Sequence, residues 1–157
     1  MNTPNLLDAV RIVKENERIS RDFYADEAKK TETAVKTIFE TLSAFEQFHY
    51  EKLSELEKSL EKDGSYIRYE GKEFILPPKF ELKSEPGLKS MIQVMQEAMK
   101  IEKQAEKAYS DLAAQLEDPR GREMFLKLAE EEHKHYWTLE KASTSLNQTG
   151  FWKYTAP

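Results

Sequence analysis

The sequence predicts an all-α fold: a four-helix bundle made of two helical hairpins joined by a long crossover. Three observations carry this. Four long stretches repeat apolar residues every three or four positions. Glycine (5) and proline (6) are scarce among the 157 residues, so breaks are rare and mark boundaries. Charged residues make up 34% and mean hydropathy is −0.76, the balance of long amphipathic helices rather than of a sheet. The length suits one domain, 1–157.

The first helix is expected over 5–29, with Thr3-Pro4 as a cap-plus-proline start and an inner stripe of Leu6, Val10, Val13, Glu17, Ser20, Tyr24 and Ala28. The second, over 32–62, carries Val35, Ile38, Leu42, Phe45, His49, Leu53, Leu56 and Leu60 before Asp63-Gly64 stops it. A crossover follows over 63–85, with Tyr66-Ile67-Arg68-Tyr69 and Glu73-Phe74-Ile75-Leu76 in it. Gly71 allows a short irregular hairpin there, and Pro77-Pro78 argues against a regular sheet. About twenty extended residues reach roughly 60–70 Å, whereas a thirty-residue helix is about 45 Å long. The link therefore spans the bundle and makes helices two and three parallel; the other two connections are tight turns. The third helix, over 86–117, starts near Ser84-Glu85-Pro86 and carries Met91, Met95, Ala98, Glu102, Ala105, Tyr109 and Leu112. Asp118-Pro119 ends it and caps the fourth, over 119–147, with Phe125, Leu128, Glu132, His135, Leu139, Ala142 and Leu146. The aromatic tail, 150–157, with Phe151-Trp152-Lys153-Tyr154, is expected to pack on the bundle or on a partner subunit.

Several function classes drop out. A net charge of −5 with scattered lysine and arginine gives no basic stripe for nucleic acid. No run approaches a membrane span, and Met1-Asn2-Thr3-Pro4 lacks a charged-then-apolar signal, so a cytoplasmic protein is expected. With no cysteine, disulfides, thiol catalysis and cysteine-ligated iron are excluded within this chain. Any metal must be held by oxygen and nitrogen.

The chemistry sits in a repeated ExxH: Glu46-Gln47-Phe48-His49 and Glu132-His133-Lys134-His135. Positions i and i+3 share a helix face, so each presents a carboxylate beside an imidazole. A lone glutamate on the preceding helix, Glu17 or Glu102, precedes each motif by about thirty residues. Counting 1.5 Å per residue, Glu17 lies roughly 20 Å from its turn and Glu46/His49 roughly 24–28 Å; Glu102 lies roughly 24 Å from Asp118 and Glu132/His135 roughly 21–26 Å. In each hairpin the donors share a depth. The hairpins also look duplicated: Tyr24 follows Glu17 by seven residues as Tyr109 follows Glu102, and His49-Tyr50 recurs as His135-Tyr136.

A single ExxH means little in a chain with 29 acidic residues. Glu130 also precedes His133 by three, but that pair lies about 200° round the helix from His135 and reads as a solvated face. Glu55, Glu57 and Glu61 read as solvation and i,i+4 pairing. Glu17, Glu46, Glu102 and Glu132 differ because they lie on or beside apolar stripes. Buried carboxylates must face water, pair with inward lysine or arginine, or hold cations. The stripes offer no inward base, and two divalent ions would balance four carboxylates and leave His49 and His135 neutral. Tyr24 and Tyr109 either donate to a ligand carboxylate or serve as core aromatics. Met91, Met95 and Met99 read as core filler, thioethers being poor partners for hard cations.

Glu17-x6-Tyr24, Glu46-x-x-His49, Glu102-x6-Tyr109 and Leu128-Ala129-x-x-Glu132-x-x-His135 resemble the rubrerythrin branch of the ferritin-like di-iron carboxylate superfamily, over nearly the whole chain. The resemblance implies two irons, with manganese or zinc also accepting the donor set. Glu46 and Glu132 would bridge or chelate, Glu17 and Glu102 would be terminal ligands, and His49 and His135 would take one metal each. It implies a peroxidase or oxidase acting on hydrogen peroxide or dioxygen through those metals, with iron oxidation and a non-catalytic metal-binding bundle as alternatives. A separate electron-donor protein and a homodimer are expected. The chain departs from rubrerythrins in two ways: it has no rubredoxin domain, and Ala105 stands where they carry an additional glutamate, with Glu106 next door.

Overall fold

The computed structural model describes residues 2–155, apart from the side chains at 3 and 4. Four helices form: α1 (Thr3–Lys29), α2 (Val35–Asp63), α3 (Leu88–Gln115) and α4 (Pro119–Thr149). Two three-residue strands join them, β1 (Glu81–Lys83) before α3 and β2 (Phe151–Lys153) after α4. The start read at Thr3-Pro4 rests on side chains outside the described residues; the cap observed is Asn2, whose side-chain oxygen accepts from the Asn5 amide at 3.0 Å. Asp118 caps α4 as expected, accepting from the Arg120 amide at 2.8 Å. Gly64 and Gly150 end α2 and α4 in the left-handed conformation (φ 77° and 70°) that glycine adopts without strain.

α1 pairs with α2 and α3 with α4 as hairpins. The α1–α2 turn is tied by threonines: Thr31 Oγ1 accepts from the Thr33 amide at 3.1 Å, and Thr33 Oγ1 from the Val35 amide at 3.3 Å. At the other turn the Arg122 guanidinium closes on the Leu116 carbonyl.

Between α2 and α3 the crossover runs along α4 from its first turn to its last. Tyr66 lies on Gly121 and leaves no room for a side chain there. Tyr69 meets Lys127 and Glu131, Phe74 packs on His135, and the Ser84 amide donates to Gly150 O at 2.7 Å. Because α2 therefore ends where α4 begins, and α3 starts where α4 ends, α2 and α3 are parallel.

No hairpin forms within the crossover. Its one strand, β1, pairs instead with the tail strand β2, antiparallel, with Leu82 opposite Trp152. Trp152 is buried, and the Tyr154 amide and hydroxyl donate to Phe80 O and Phe74 O. The tail thus packs on its own bundle; its last two residues lie outside those described. Glu57 and Glu61 also depart from expectation, since they do not pair within α2. Arg11 and Lys14 of α1 reach both across the hairpin at 2.6–2.8 Å.

The core comes in two apolar halves. One gathers Phe39, Leu42, Phe45, Met95, Leu139 and Trp152; the other Val10, Leu53, Leu56, Leu112, Phe125 and Leu128. Between them lies a slab of buried polar side chains.

Candidate metal centre

Each helix delivers its predicted donors to that slab: Glu17 from α1, Glu46 and His49 from α2, Glu102 from α3, Glu132 and His135 from α4. All six are 2% exposed or less. They form two overlapping sets, Glu17–Glu46–His49–Glu132 and Glu46–Glu102–Glu132–His135, each with one donor atom per residue within 4.8 Å of the others. Glu46 and Glu132 belong to both.

Nδ1 of each imidazole points into the cluster. For His49 it stands 2.9 Å from Glu132, 3.5 Å from Glu17 and 3.9 Å from Glu46. For His135 it stands 3.5 Å from Glu102 and 3.6 Å from Glu46. None of these contacts has hydrogen-bond geometry. Glu17 Oε2, Glu46 Oε1, Glu102 Oε2, Glu132 Oε1 and both Nδ1 atoms are buried without a partner. A buried polar atom left unpaired costs about 1–3 kcal/mol, more when charged. No lysine or arginine is buried among the described residues. Convergent carboxylate and imidazole donors with unused lone pairs fit divalent cations, and the buried cluster suits a dinuclear metal site.

The tyrosines act across hairpins rather than within them. The Tyr24 hydroxyl of α1 donates to Glu102 of α3 at 2.7 Å, and the Tyr109 hydroxyl of α3 donates to Glu17 of α1. Burial and the carboxylates facing them push both phenols well above their usual range, so each remains a donor. Each holds one oxygen of a lone glutamate and leaves the other free.

Titration reflects the crowding. Burial and the neighbouring Glu102 and Glu17 push the Glu132 carboxyl well up. Burial opposes a charge on Glu102, but Glu132, His135 and Tyr24 outweigh it and hold that carboxyl low. Burial likewise opposes a charge on His49, and Glu17, Glu131 and Glu132 outweigh it, raising the imidazole well above its usual value. Without a cation, a proton on His49 stands in for one.

Sequence reasoning missed Glu131. It is buried, and its Oε2 lies 3.1 Å from His49 Nε2 while the Tyr69 hydroxyl donates to it at 2.5–2.8 Å. Gly71, at φ 84°, passes close by; a Cβ there would stand 3.2 Å from Glu131 Oε1. Glu130 and His133 are exposed as expected, and His133 pairs at the surface with Glu106, which stays out of the centre.

Among known proteins, the family model described as Rubrerythrin matches residues 93–151, less than half of the chain and nearly all of its second hairpin. No curated protein matches the chain. A solved structure of a hypothetical protein from Pyrococcus furiosus superposes with a TM-score of 0.70 at 24% identity, over 90% of each chain, which shows the fold. No helix of the described residues is long and apolar enough to cross a membrane. The chain has the fold of a ferritin-like four-helix bundle, its second hairpin matches the Rubrerythrin family model, and its sequence contains no cysteine.

Proposed function

We propose that the protein is a non-haem di-iron oxidoreductase that reduces hydrogen peroxide or dioxygen. The observation behind this reading is the pair of overlapping buried donor sets sharing Glu46 and Glu132. Glu17, Glu46, His49 and Glu132 would hold one iron, and Glu102, Glu46, Glu132 and His135 the other. Two irons bound there would supply reversible one-electron steps at adjacent positions, which suits two-electron reduction of an O–O bond.

The chain's own residues set the conditions. Tyr24 and Tyr109 fix one oxygen each of Glu102 and Glu17, so the free oxygens face the centre. Glu131 holds His49 at Nε2 and keeps Nδ1 directed at the donors. The two apolar half-cores exclude water above and below. Reducing peroxide to water consumes two electrons and two protons, and a chain without cysteine has no iron–sulfur relay of its own. We propose that a separate donor protein supplies the electrons.

The test is metal analysis with rapid-mixing absorption on anaerobically iron-loaded protein. Two irons per chain, oxidised by peroxide faster than free ferrous iron beside metal-free protein and then turned over with an external reductant, is the expected result. A single oxidation with release of ferric product would replace the reading with iron oxidation. Failure to bind iron in Glu46→Ala but also in the natural sequence would remove the enzyme reading altogether.

A further inference from the structure

The six donors are not spread evenly round the centre. Four come from α2 and α4, and the crossover closes that flank: Tyr69 packs on Phe48, Phe74 on Phe45, and both reach α4. Only Glu17 and Glu102 come from α1 and α3. Each is braced by a tyrosine from the opposite helix, and since α1 and α3 are antiparallel, Tyr24 and Tyr109 cross that seam on either side of the centre. The α1/α3 flank is where an outside molecule meets the fewest protein donors.

A cleft of about 270 Å³ opens on that flank, lined by Ile19, Phe23, Ile101, Ala105 and Ala108 with Ser20 and the amides Asn16 and Gln104 among them, and Ile19 half exposed at its mouth. Ser20 and Ala105 each follow a lone glutamate by three residues, one turn along the same face, so the cleft lies at the depth of the centre. Its small residues make the space; a larger side chain at 105 or 108 would fill it. No lining residue is ionisable, in a chain of which 34% is charged. The clefts under the crossover differ: one is lined by Arg68, Glu70, Arg120, Glu123 and Lys127 among others, another by Glu70, Lys72, Glu73, Lys127, Glu130 and Lys134 among others. At about 30 Å³ per water-sized group, the α1/α3 cleft holds on the order of nine non-hydrogen atoms. A charged ligand would forfeit hydration there with no counter-charge in return.

We propose that this cleft is a binding site for a small, uncharged, mainly apolar molecule, which sits one helix turn along from Glu17 and Glu102 and acts on the centre as a modulator. The role at the centre rests on the di-metal reading; the binding itself does not. Toluene, benzoate and benzylammonium, alike in size and different in charge, are the probes, titrated into the full-length protein in metal-free and zinc-loaded forms and followed by backbone amide shifts. Toluene is expected to move the amides of Ser20, Ala105 and Ala108 saturably, with each charged analogue about tenfold weaker or more. Ala108→Phe should abolish toluene binding, while Ala44→Phe, the same bulk added to the outer face of α2, should retain it. No saturable shift, equal binding of all three probes, or unchanged binding in Ala108→Phe would overturn the assignment. So would sedimentation showing that a second copy fills the cleft and that toluene only competes with association. If toluene binds and zinc does not, the cleft stands and the di-metal reading falls.

Discussion

The two histidines occupy equivalent places in a duplicated hairpin and have unlike surroundings. His49 is backed by Glu131 at Nε2, and Glu131 in turn by Tyr69. His135 Nε2 is buried with no hydrogen-bond partner and is enclosed by the rings of Phe45 and Phe74, at centroid distances of 4.3 and 5.1 Å. The difference traces to two positions. Glu131 precedes Glu132 as Phe45 precedes Glu46, and the crossover brings a tyrosine over one histidine and a phenylalanine over the other. A carboxylate behind an imidazole fixes its tautomer and strengthens it as a donor; an apolar box does neither. One fold thus builds two unequal metal positions from nearly symmetrical donors.

The broadest way to break this comparison is to remove what the two positions share. Glu46→Gln and Glu132→Gln should each empty both positions, whereas Glu17→Gln should empty chiefly the one next to His49; metal analysis after gel filtration decides it. When all forms are metal-free, Glu46→Gln should melt above the natural protein, by roughly 2–4 °C per kcal/mol of relieved charge burial. Glu131→Gln sharpens the comparison further. Affinity at the His49 position should fall about 10–100-fold with the His135 position little changed, seen as two separated steps in a cobalt titration followed by absorption. Equal losses at both would end the claim of inequality. Tyr69→Phe removes one hydrogen bond behind Glu131, and a loss near 1 kcal/mol corresponds to about a fivefold weaker His49 position.

The smallest effect is in pH. The His49 imidazole has a raised folded-state value, so its stabilisation of the metal-free protein is complete below about pH 6.5 and is lost as pH rises through the folded value. Melting temperature of metal-free protein should therefore fall from neutral to alkaline pH, and zinc loading, by displacing the proton, should remove that slope. A slope that persists with zinc bound would assign it to other groups.

What could be read from sequence follows the helices. Glu17, Glu46, His49, Glu102, Glu132 and His135 lie on periodic stripes, and depth counted from the turns places them together because a helix has a fixed rise. The length of the crossover against the length of a helix was enough to make α2 and α3 parallel. Glu131 was hidden because it sits in the run Glu130-Glu131-Glu132-His133, where the first and last members are surface residues and nothing in the period separates the second. It is buried by Tyr69, from a segment that has no period. Likewise β1 and β2 are three residues each and some seventy apart in sequence, a pairing that only the finished bundle brings about. Tyr24 and Tyr109 fell between: their spacing was visible, but their partners lie on the other hairpin.

The sharing of Glu46 and Glu132 has a mechanical consequence. Each hairpin supplies three donors for one ion and lends a fourth to the other, so every ion ties together two parts of the chain that are otherwise joined covalently by the crossover alone. In a protein without cysteine, the ions act as removable crosslinks, closing long loops as disulfides do elsewhere. Their making and breaking would follow the supply of metal, and the lifetime of the folded chain would follow it too.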